Sequence, residues 1–253
     1  MADIKNFPTA TLVKKKVVAP EHFILWFKPA QPFSFKPGQY LTLGKEGIER
    51  PYSIVSEPSE PLIELYLEVI PPQFRGEKSI SPKLYAMKEG ETVTFRPSVK
   101  GTFLLDETIE THIMIATVTG IAPFISMIRA YQKGYYKGVP KKIYVFQGAS
   151  YFDELGYFEE LKSAAKASSV IYIPTVSRPQ ETRNASWQGE TGRVNLILDK
   201  YFEKFKITSE KSVVYLCGNS QMIDYLGNKR EKPDKPLGKL VQAGFRVKEE
   251  IFW

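Results

Sequence analysis

The sequence predicts two domains, an antiparallel β-barrel followed by an α/β domain with a doubly wound parallel sheet. A chain of 253 residues, 43% hydrophobic and 25% charged, is typical of globular proteins and long enough for two small domains. Its first part consists of short strand-like runs separated by Pro and Gly, whereas its second part alternates apolar strands with helical stretches. We therefore divide the chain into residues 1–104 and 105–253.

Six strand-like runs form the predicted barrel: "ATLVKKKVV", "HFILWF", "GQYLTLG", "PYSIV", "LIELYLEVI" and "ETVTF". In the fifth run, apolar and polar side chains alternate with a period of two, which predicts a strand with one buried and one exposed face. The predicted buried face contains Ile63, Leu65, Leu67 and Val69, and the predicted exposed face contains Glu64, Tyr66 and Glu68.

One helix is predicted within the barrel half, in the segment "ISPKLYAM". Ser81 is a suitable N-cap, and Pro82 then occupies the first helical position. The free backbone N–H groups of such a helix start attract anions.

The second half alternates the strands "HIMIAT", "KIYVFQ", "VIYIPTV" and "VVYLC" with the helical stretches "APFISMIRAYQ", "DELGYFEELKSAAK" and "GRVNLILDKYF". This alternation predicts a parallel sheet covered by helices. Ligands of such folds bind beyond the carboxyl ends of the strands, so residues that directly follow each strand are candidates for a site. The segment "SVKGTFLLDETIE" is the predicted connector.

Several kinds of site and location are disfavoured by composition. The single cysteine, Cys217, excludes an intrachain disulfide and a cysteine-ligated iron–sulfur cluster held by this chain alone. His22 and His112 lie far apart beside apolar neighbours, so we expect packed or surface histidines rather than catalytic ones, and no metal site. The most apolar run is interrupted by Gly120 and Pro123, and the N-terminus lacks an apolar signal region. We therefore expect a cytoplasmic protein with no membrane partner.

The net charge of +7 favours an anionic partner. Nucleic acid is one candidate, and a nucleic-acid-binding protein built on the basic barrel is an alternative function. The lysines do not cluster, however, and the densest basic run, "VKKKV", is typical of a solvated strand edge. We therefore expect an acidic protein or a phosphorylated cofactor and no nucleic acid.

Six motifs follow one another along the chain: "RPYS", "SPKLYAMKEGETV", "ATVTGIAPF", "VSR" followed by "TGR", "YLCGNSQMI" and a final "EEIFW". In this order they resemble the ferredoxin–NADP reductase family, in particular the compact bacterial flavodoxin/ferredoxin–NADP reductases. The resemblance covers almost the whole chain. It implies that the barrel binds FAD and that the α/β domain binds NADP(H).

The resemblance gives the "RPYS" motif a role in binding FAD. Arg50 would pair with the pyrophosphate, Tyr52 would stack on the isoalloxazine, and Ser53 would hydrogen-bond near the flavin N5 as a catalytic residue, while Pro51 stiffens the turn. A guanidinium suits phosphate oxygens, an aromatic ring suits a flat ligand, and a hydroxyl both donates and accepts. Further FAD contacts are implied for Leu67, Val69, the helix-start residues Ile80 and Ser81, and the terminal Trp253.

The resemblance also implies the residues near the nicotinamide. Thr117 would lie near the flavin, and Thr119 and Gly120 would form the strand-to-helix turn that receives the nucleotide. Cys217, as a catalytic residue that positions the ring, and Gly218 would lie near the nicotinamide. Relatives usually have glycine where Val118 stands, and a β-branched side chain there predicts weaker nucleotide binding.

A preference for NADPH over NADH is implied by Ser177, Arg178 and Arg193, which match residues that hold the 2′-phosphate in bacterial relatives. Two guanidinium groups suit that dianion, whereas an NAD site presents a carboxylate to the free 2′-hydroxyl. Relatives often have another arginine where Ser150 stands, and Arg183 is a candidate to compensate for its charge.

The predicted function is exchange of electrons between NADPH and a separate one-electron carrier, through FAD. Flavin is required because hydride delivers two electrons together, whereas an iron–sulfur carrier accepts one. The excess of Lys and Arg favours an acidic carrier, ferredoxin or flavodoxin. The alternative is the NADH-dependent reductase component of an oxygenase system.

Overall fold

The computed structural model describes residues 7–70, 73, 79–138, 140–228 and 237–251. By their contacts, the residues divide into a first unit, Met1–Leu105 with Ala122–Ala130, and a second unit, Asp106–Ile121 with Tyr131–Trp253. The boundary predicted between residues 104 and 105 stays a prediction.

The first unit contains a six-stranded antiparallel sheet in the order β4-β3-β6-β1-β2-β5. Its strands are β1 (Thr9–Ala19), β2 (His22–Pro29), β3 (Tyr40–Lys45), β4 (Ile48–Ser53), β5 (Ile63–Glu68) and β6 (Thr92–Phe95), and its short helix α1 is Ser81–Ala86.

The sheet closes into a barrel near its two outer strands, β4 and β5. Just beyond β4, the Val55 N–H donates to the Glu64 carbonyl of β5 at 2.9 Å, and the Ser56 hydroxyl accepts the Glu64 N–H at 2.6 Å. Closure leaves fewer unpaired backbone groups at the sheet edges. The interior is filled by apolar side chains, among which the Phe27 and Phe95 rings lie 5.8 Å apart in an edge-to-face arrangement.

Strand β5 differs from its prediction of one exposed face. Leu65 and its apolar neighbours enter the barrel core, as the alternation predicts, but Glu64 and Tyr66 on the other face are only 3% and 4% exposed. Glu64 is buried beside Arg129, in the Ala122–Ala130 segment of the same unit, whose Nη1 lies 2.6 Å from Glu64 Oε2. A carboxylate can be buried when an arginine pairs with it, so the prediction that Glu64 and Tyr66 are exposed was wrong.

The start of helix α1 also differs from its prediction. Ser81 is the first helical residue rather than the N-cap, and the N-cap position is taken by Ile80. The Ser81 hydroxyl accepts the Ile70 N–H at 2.8 Å instead of capping the helix. Pro82 lies in the first turn, where its missing N–H costs no helical hydrogen bond.

The second unit contains a six-stranded parallel sheet in the order β10-β9-β8-β7-β11-β12. The fold class predicted from the sequence, an antiparallel barrel followed by a doubly wound parallel sheet, is confirmed. The strands are β7 (Thr111–Thr117), β8 (Lys142–Ala149), β9 (Val170–Val176), β10 (Glu190–Thr191), β11 (Ser212–Gly218) and β12 (Arg246–Ile251), and the helices that follow α1 along the chain are α2 (Ala122–Gln132), α3 (Phe158–Ala167), α4 (Val194–Phe205), α5 (Ser220–Leu226) and α6 (Lys239–Gln242).

His112 is a packed histidine in the middle of this sheet. Its side chain is fully buried, and its Nε2 lies 2.7 Å from the Ile109 carbonyl while its Nδ1 lies 3.2 Å from the Tyr215 hydroxyl. Burial lowers the pKa of His112 from 6.5 to about 4. The ring is therefore neutral at pH 7, with Nε2 as the donor to Ile109 and Nδ1 as the acceptor from Tyr215.

In the described part of the chain, no helix has both the length and the apolar character needed to cross a membrane.

Candidate functional site

A pocket of about 380 Å³ opens at the carboxyl edge of the parallel sheet. Four residues predicted to bind cofactor line it together: Thr117 at the end of β7, Ser177 and Arg178 just after β9, and Arg193 just before α4. The rest of the lining is Val118, Gly148, Ala149, Ser150, Val194, Asn195, Asn219, Gln221, Met222 and Tyr225.

The motif "YLCGNSQMI" marked the segment that follows β11, but sequence reasoning assigned no binding role to its residues beyond Gly218. Gln221, Met222 and Tyr225 belong to helix α5, and the Asn219 side chain caps that helix by accepting the Gln221 N–H at 2.9 Å. The signal was present, because "GNSQM" directly follows a buried strand and Asn is a preferred N-cap.

Two predicted glycines, Gly120 and Gly218, lie outside the pocket lining, where the ends of β7 and β11 meet. A Cβ atom on Gly120 would lie 2.3 Å from the Cys217 carbonyl oxygen. Gly218 has a φ of +126°, and a Cβ atom there would lie 2.2 Å from Thr117 Oγ1. The ends of β7 and β11 therefore approach so closely that only glycine fits at both positions. Thr119, in the short 3-10 helix Val118–Ile121, lies outside the pocket lining.

Val118 has a left-handed backbone conformation, with a φ of +44°. This region favours glycine and is unfavourable for a β-branched residue. The turn therefore has a backbone conformation suited to glycine, the residue that the resemblance predicts at this position. The valine side chain packs on Ala149, Leu155 and Val176 and also lines the pocket, so it occupies space at the turn.

Cys217 lies at the end of β11 with its side chain fully buried. Burial raises the pKa of its thiol well above the usual range, and the nearby Glu250 carboxylate adds to this effect. A thiol in this environment is protonated and therefore a poor nucleophile.

Arg178 belongs to a small polar cluster at the rim of the pocket. Its Nη1 donates to the Tyr151 hydroxyl at 3.0 Å and lies 3.5 Å from Glu181 Oε1. The Tyr151 hydroxyl in turn donates to Glu181 Oε2. These contacts, above all the bond to Tyr151, raise the pKa of Arg178. The guanidinium is therefore charged and already has an anionic neighbour.

Arg183 is near the same cluster but is paired with other carboxylates. It lies 4.1 Å from the centre of the Tyr151 ring, its Nε donates to Asp153 at 3.0 Å, and its Nη1 lies 3.4 Å from Glu154. Arg183 does not line the pocket. Arg193, by contrast, is exposed at the pocket, and no described residue forms an ion pair with it.

The "RPYS" motif lies on β4, at an outer strand of the barrel sheet. Alternation along the strand places Arg50 and Tyr52 on one face and Pro51 and Ser53 on the other. Arg50 Nη1 donates to the Glu49 carbonyl at 2.7 Å, Tyr52 packs half-buried on the barrel core, and Ser53 is buried.

The remaining predicted FAD contacts are mostly buried in the barrel. The side chains of Leu67 and Ile80 are in its core, and Val69 packs on that core while its N–H donates to the Glu21 carbonyl at 2.7 Å. Ser81 is buried and holds Ile70, as described above. If Leu67 and Ile80 contact FAD, they would therefore do so through their main-chain groups. Trp253 lies outside the described residues.

Comparisons with known proteins agree with this architecture. The profile of the oxidoreductase NAD-binding domain matches residues 114–227. The chain is 31% identical over 206 residues to the flavodoxin/ferredoxin–NADP reductase of Escherichia coli, and the match covers 77% of each of the two chains. It is 26% identical over 223 residues to the ferredoxin–NAD(P)(+) reductase component of the naphthalene 1,2-dioxygenase system of Pseudomonas putida, covering 86% of this chain and 64% of that protein.

Among solved structures, a ferredoxin–NADP+ reductase from Neisseria gonorrhoeae with bound FAD and NADP has a TM-score of 0.77 with this chain. The two are 20% identical, and the match covers 97% of this chain and 98% of the other. At this level of identity, the likeness concerns the fold.

The fold and the named relatives together define an oxidoreductase, and its parallel sheet has a pocket at the carboxyl edge. The chain belongs to the flavodoxin/ferredoxin–NADP reductase family. The family, the enzyme class and the cofactor pair, FAD and NADP(H), that the sequence predicts are confirmed.

Proposed function

We propose that this protein is an FAD-dependent reductase that exchanges electrons between NADPH and a separate one-electron carrier, ferredoxin or flavodoxin. The observation that carries the proposal is the pocket that gathers Thr117, Ser177, Arg178 and Arg193, in a chain of this family. When bound, FAD accepts two electrons together and releases them singly, which matches a hydride donor to a one-electron carrier.

Strand β4 offers FAD the groups that its parts require. Arg50 supplies a guanidinium for the pyrophosphate, Tyr52 an aromatic ring for the isoalloxazine, and Ser53 a hydroxyl for the flavin N5. Ser53 is only 5% exposed, so its hydroxyl is shielded from water. Because a hydroxyl both donates and accepts, Ser53 can serve N5 whether or not that atom carries a proton.

The nucleotide is held by the pocket of the second unit. Arg178 and Arg193 bind the 2′-phosphate with Ser177 beside them, and the charge of these arginines favours NADPH. Cys217 and Gly218 lie at the end of β11 outside the pocket lining, and from there they orient the nicotinamide indirectly. Since the Cys217 thiol stays protonated, it acts through its shape and does not attack the ring.

The carrier is an acidic protein. The chain has 35 Lys and Arg against 28 Asp and Glu, and a basic surface attracts an anionic partner over long range. Its single cysteine cannot hold an iron–sulfur cluster, which supports a one-electron centre on a separate protein. The cytoplasmic location predicted from the sequence stays a prediction.

Absorbance of the purified protein, followed by identification of the released flavin, tests this function. We expect a yellow protein that releases FAD. A preparation that is colourless and takes up no FAD would overturn the proposal. Release of FMN would show that the bound flavin lacks the AMP half of FAD and would contradict the assignment of FAD. A flavin spectrum also excludes a nucleic-acid-binding protein without cofactor.

The alternative is the NADH-dependent reductase component of an oxygenase system, with a cluster-bearing partner. The likeness to the Pseudomonas putida component favours it, and so does the carboxylate of Glu181 beside Arg178. Comparison of NADPH with NADH as donor separates the two functions, because the alternative predicts a preference for NADH.

A further inference from the structure

We propose that Glu181 is a specificity-determining residue that weakens the preference for NADPH over NADH. This inference rests on the proposed function, in which Arg178 binds the 2′-phosphate. Its starting point is that Glu181, three residues after Arg178, forms an ion pair with it at the rim of the nucleotide pocket.

The Tyr151 hydroxyl links the two charged groups. It accepts a hydrogen bond from Arg178 Nη1 at 3.0 Å and donates one to Glu181 Oε2, while Glu181 Oε1 lies 3.5 Å from Arg178 Nη1. A carboxylate thus already lies beside the guanidinium that would receive the phosphate. For the 2′-phosphate to pair with Arg178, Glu181 must move away or two anions must lie close together.

Electrostatics therefore gives Glu181 opposite effects on the two nucleotides. A 2′-phosphate carries up to two negative charges, which the Glu181 carboxylate repels. The free 2′-hydroxyl of NADH is a hydrogen-bond donor, for which a carboxylate is a suitable acceptor. The side chains of Arg178 and Glu181 are about half exposed, at 54% and 50%, so water screens these effects.

The other charges nearby do not cancel Glu181. Arg183 lies against the Tyr151 ring, but Asp153 and Glu154 pair with it, and Ser150 has no charge. Burial raises the pKa of Glu154, whose carboxylate also accepts the N–H groups of Ser150 and Tyr151, each at 3.2 Å. Glu181 is therefore the described carboxylate that is paired with a predicted phosphate-binding arginine.

The decisive experiment is calorimetric titration of the holoprotein with 2′,5′-ADP and with 5′-AMP, at one low salt concentration. In Glu181→Gln we expect 2′,5′-ADP to bind roughly threefold to tenfold more tightly, because a repulsion and a competing ion pair are removed. The affinity for 5′-AMP should stay the same or fall slightly. The ratio of kcat/KM for NADPH to kcat/KM for NADH should rise by a similar factor.

Glu159→Gln is the matched control. Glu159 is an exposed carboxylate that pairs with Lys162, also at i and i+3 and also at 3.5 Å, and it lies outside the pocket. The control loses the same charge from the same kind of pair. The ratio of the two affinities should not change in this variant, which excludes a general effect of net charge.

Three results would overturn the inference in distinguishable ways. If Glu181→Gln leaves the ratio of the two affinities unchanged while Arg178→Ala weakens 2′,5′-ADP, the proposed phosphate site stands and the role of Glu181 is wrong. If Arg178→Ala leaves 2′,5′-ADP binding unchanged, the phosphate site itself is wrong. Equal weakening of both ligands in Glu181→Gln would show that Glu181 only holds Tyr151 in place.

Discussion

The Thr117 hydroxyl accepts the backbone N–H of Asn219 at 2.7 Å, which joins the ends of β7 and β11 at the pocket that we propose binds the nucleotide. Val118, the next residue after Thr117, has a φ of +44°. For a residue with a side chain, such a conformation costs roughly 1–2 kcal/mol. The packing of Val118 on Ala149 and Val176 offsets part of that cost.

Val118→Gly should lower the apparent KM for NADPH, because the pocket gains the space of a side chain and the turn keeps its conformation. The relief of backbone strain opposes the loss of packing, so the free energy of unfolding should change by no more than about 1 kcal/mol. Steady-state kinetics and denaturant unfolding measure the two effects.

Val118→Ala separates crowding from strain, since it removes the two γ-methyl groups and leaves a side chain at positive φ. If crowding limits binding, alanine should lower KM as well, at a cost in stability. An unchanged or raised KM in both variants would show that the site is built around the valine.

Arg50→Ala should weaken FAD binding by one to two decades, because a charge-assisted pair of roughly 1.5–3 kcal/mol is lost. Fluorescence titration of the apoprotein with FAD measures this. Arg246→Ala is a control that removes an arginine paired with Asp106 in the other unit and should bind FAD normally. Wild-type affinity in Arg50→Ala would contradict the assignment of Arg50 to the pyrophosphate.

Arg178→Ala should lower kcat/KM for NADPH by roughly tenfold to a hundredfold, the loss expected for a charge-assisted contact to phosphate. Turnover of NADH should barely change, because NADH lacks the 2′-phosphate. Equal losses with both nucleotides would mean that Arg178 supports the fold around Tyr151 instead of binding phosphate.

His112 should make the stability of the protein depend on pH between about 6.5 and 4. Folding lowers its pKa to about 4, so in this range the unfolded chain binds a proton that the folded protein does not. The contribution of His112 to the free energy of unfolding is fully present above pH 6.5. It is lost as the pH decreases towards 4, and the loss is about 3 kcal/mol at most.

His112→Gln can still donate to the Ile109 carbonyl but does not titrate. Its free energy of unfolding should therefore depend less on pH in this window than that of the wild type, with His22 present in both. Identical pH profiles from urea unfolding would assign the dependence to other groups.

The sequence predicted the helices and strands that have a clear hydrophobic pattern. Helix α2 has the predicted bounds, and β7, β8, β9 and β11 are apolar runs buried in the middle of the sheet. β12 was missed because it is an outer strand, and its sequence "RVKEEI" alternates with charged residues. The burial of a side chain can be predicted from the alternation along its strand only when it is known which other element covers that face of the sheet.

Two local features show why part of the site could not be predicted. The burial of Glu64 depends on Arg129, which is 65 residues away in the chain. The pairing of Arg178 with Glu181 depends on Tyr151, which follows another strand. Motifs identify which residue types follow a strand, but the charges around each of them depend on how the loops fold.

The most direct test of the central proposal is anaerobic reduction of a purified ferredoxin or flavodoxin by this protein with NADPH, followed by absorbance. We expect each NADPH to reduce two carrier molecules by one electron each, at a rate that falls as salt rises, because salt screens the attraction between a basic reductase and an acidic carrier. If NADPH reduces the bound flavin but neither carrier accepts electrons at any salt concentration, the proposed function is contradicted.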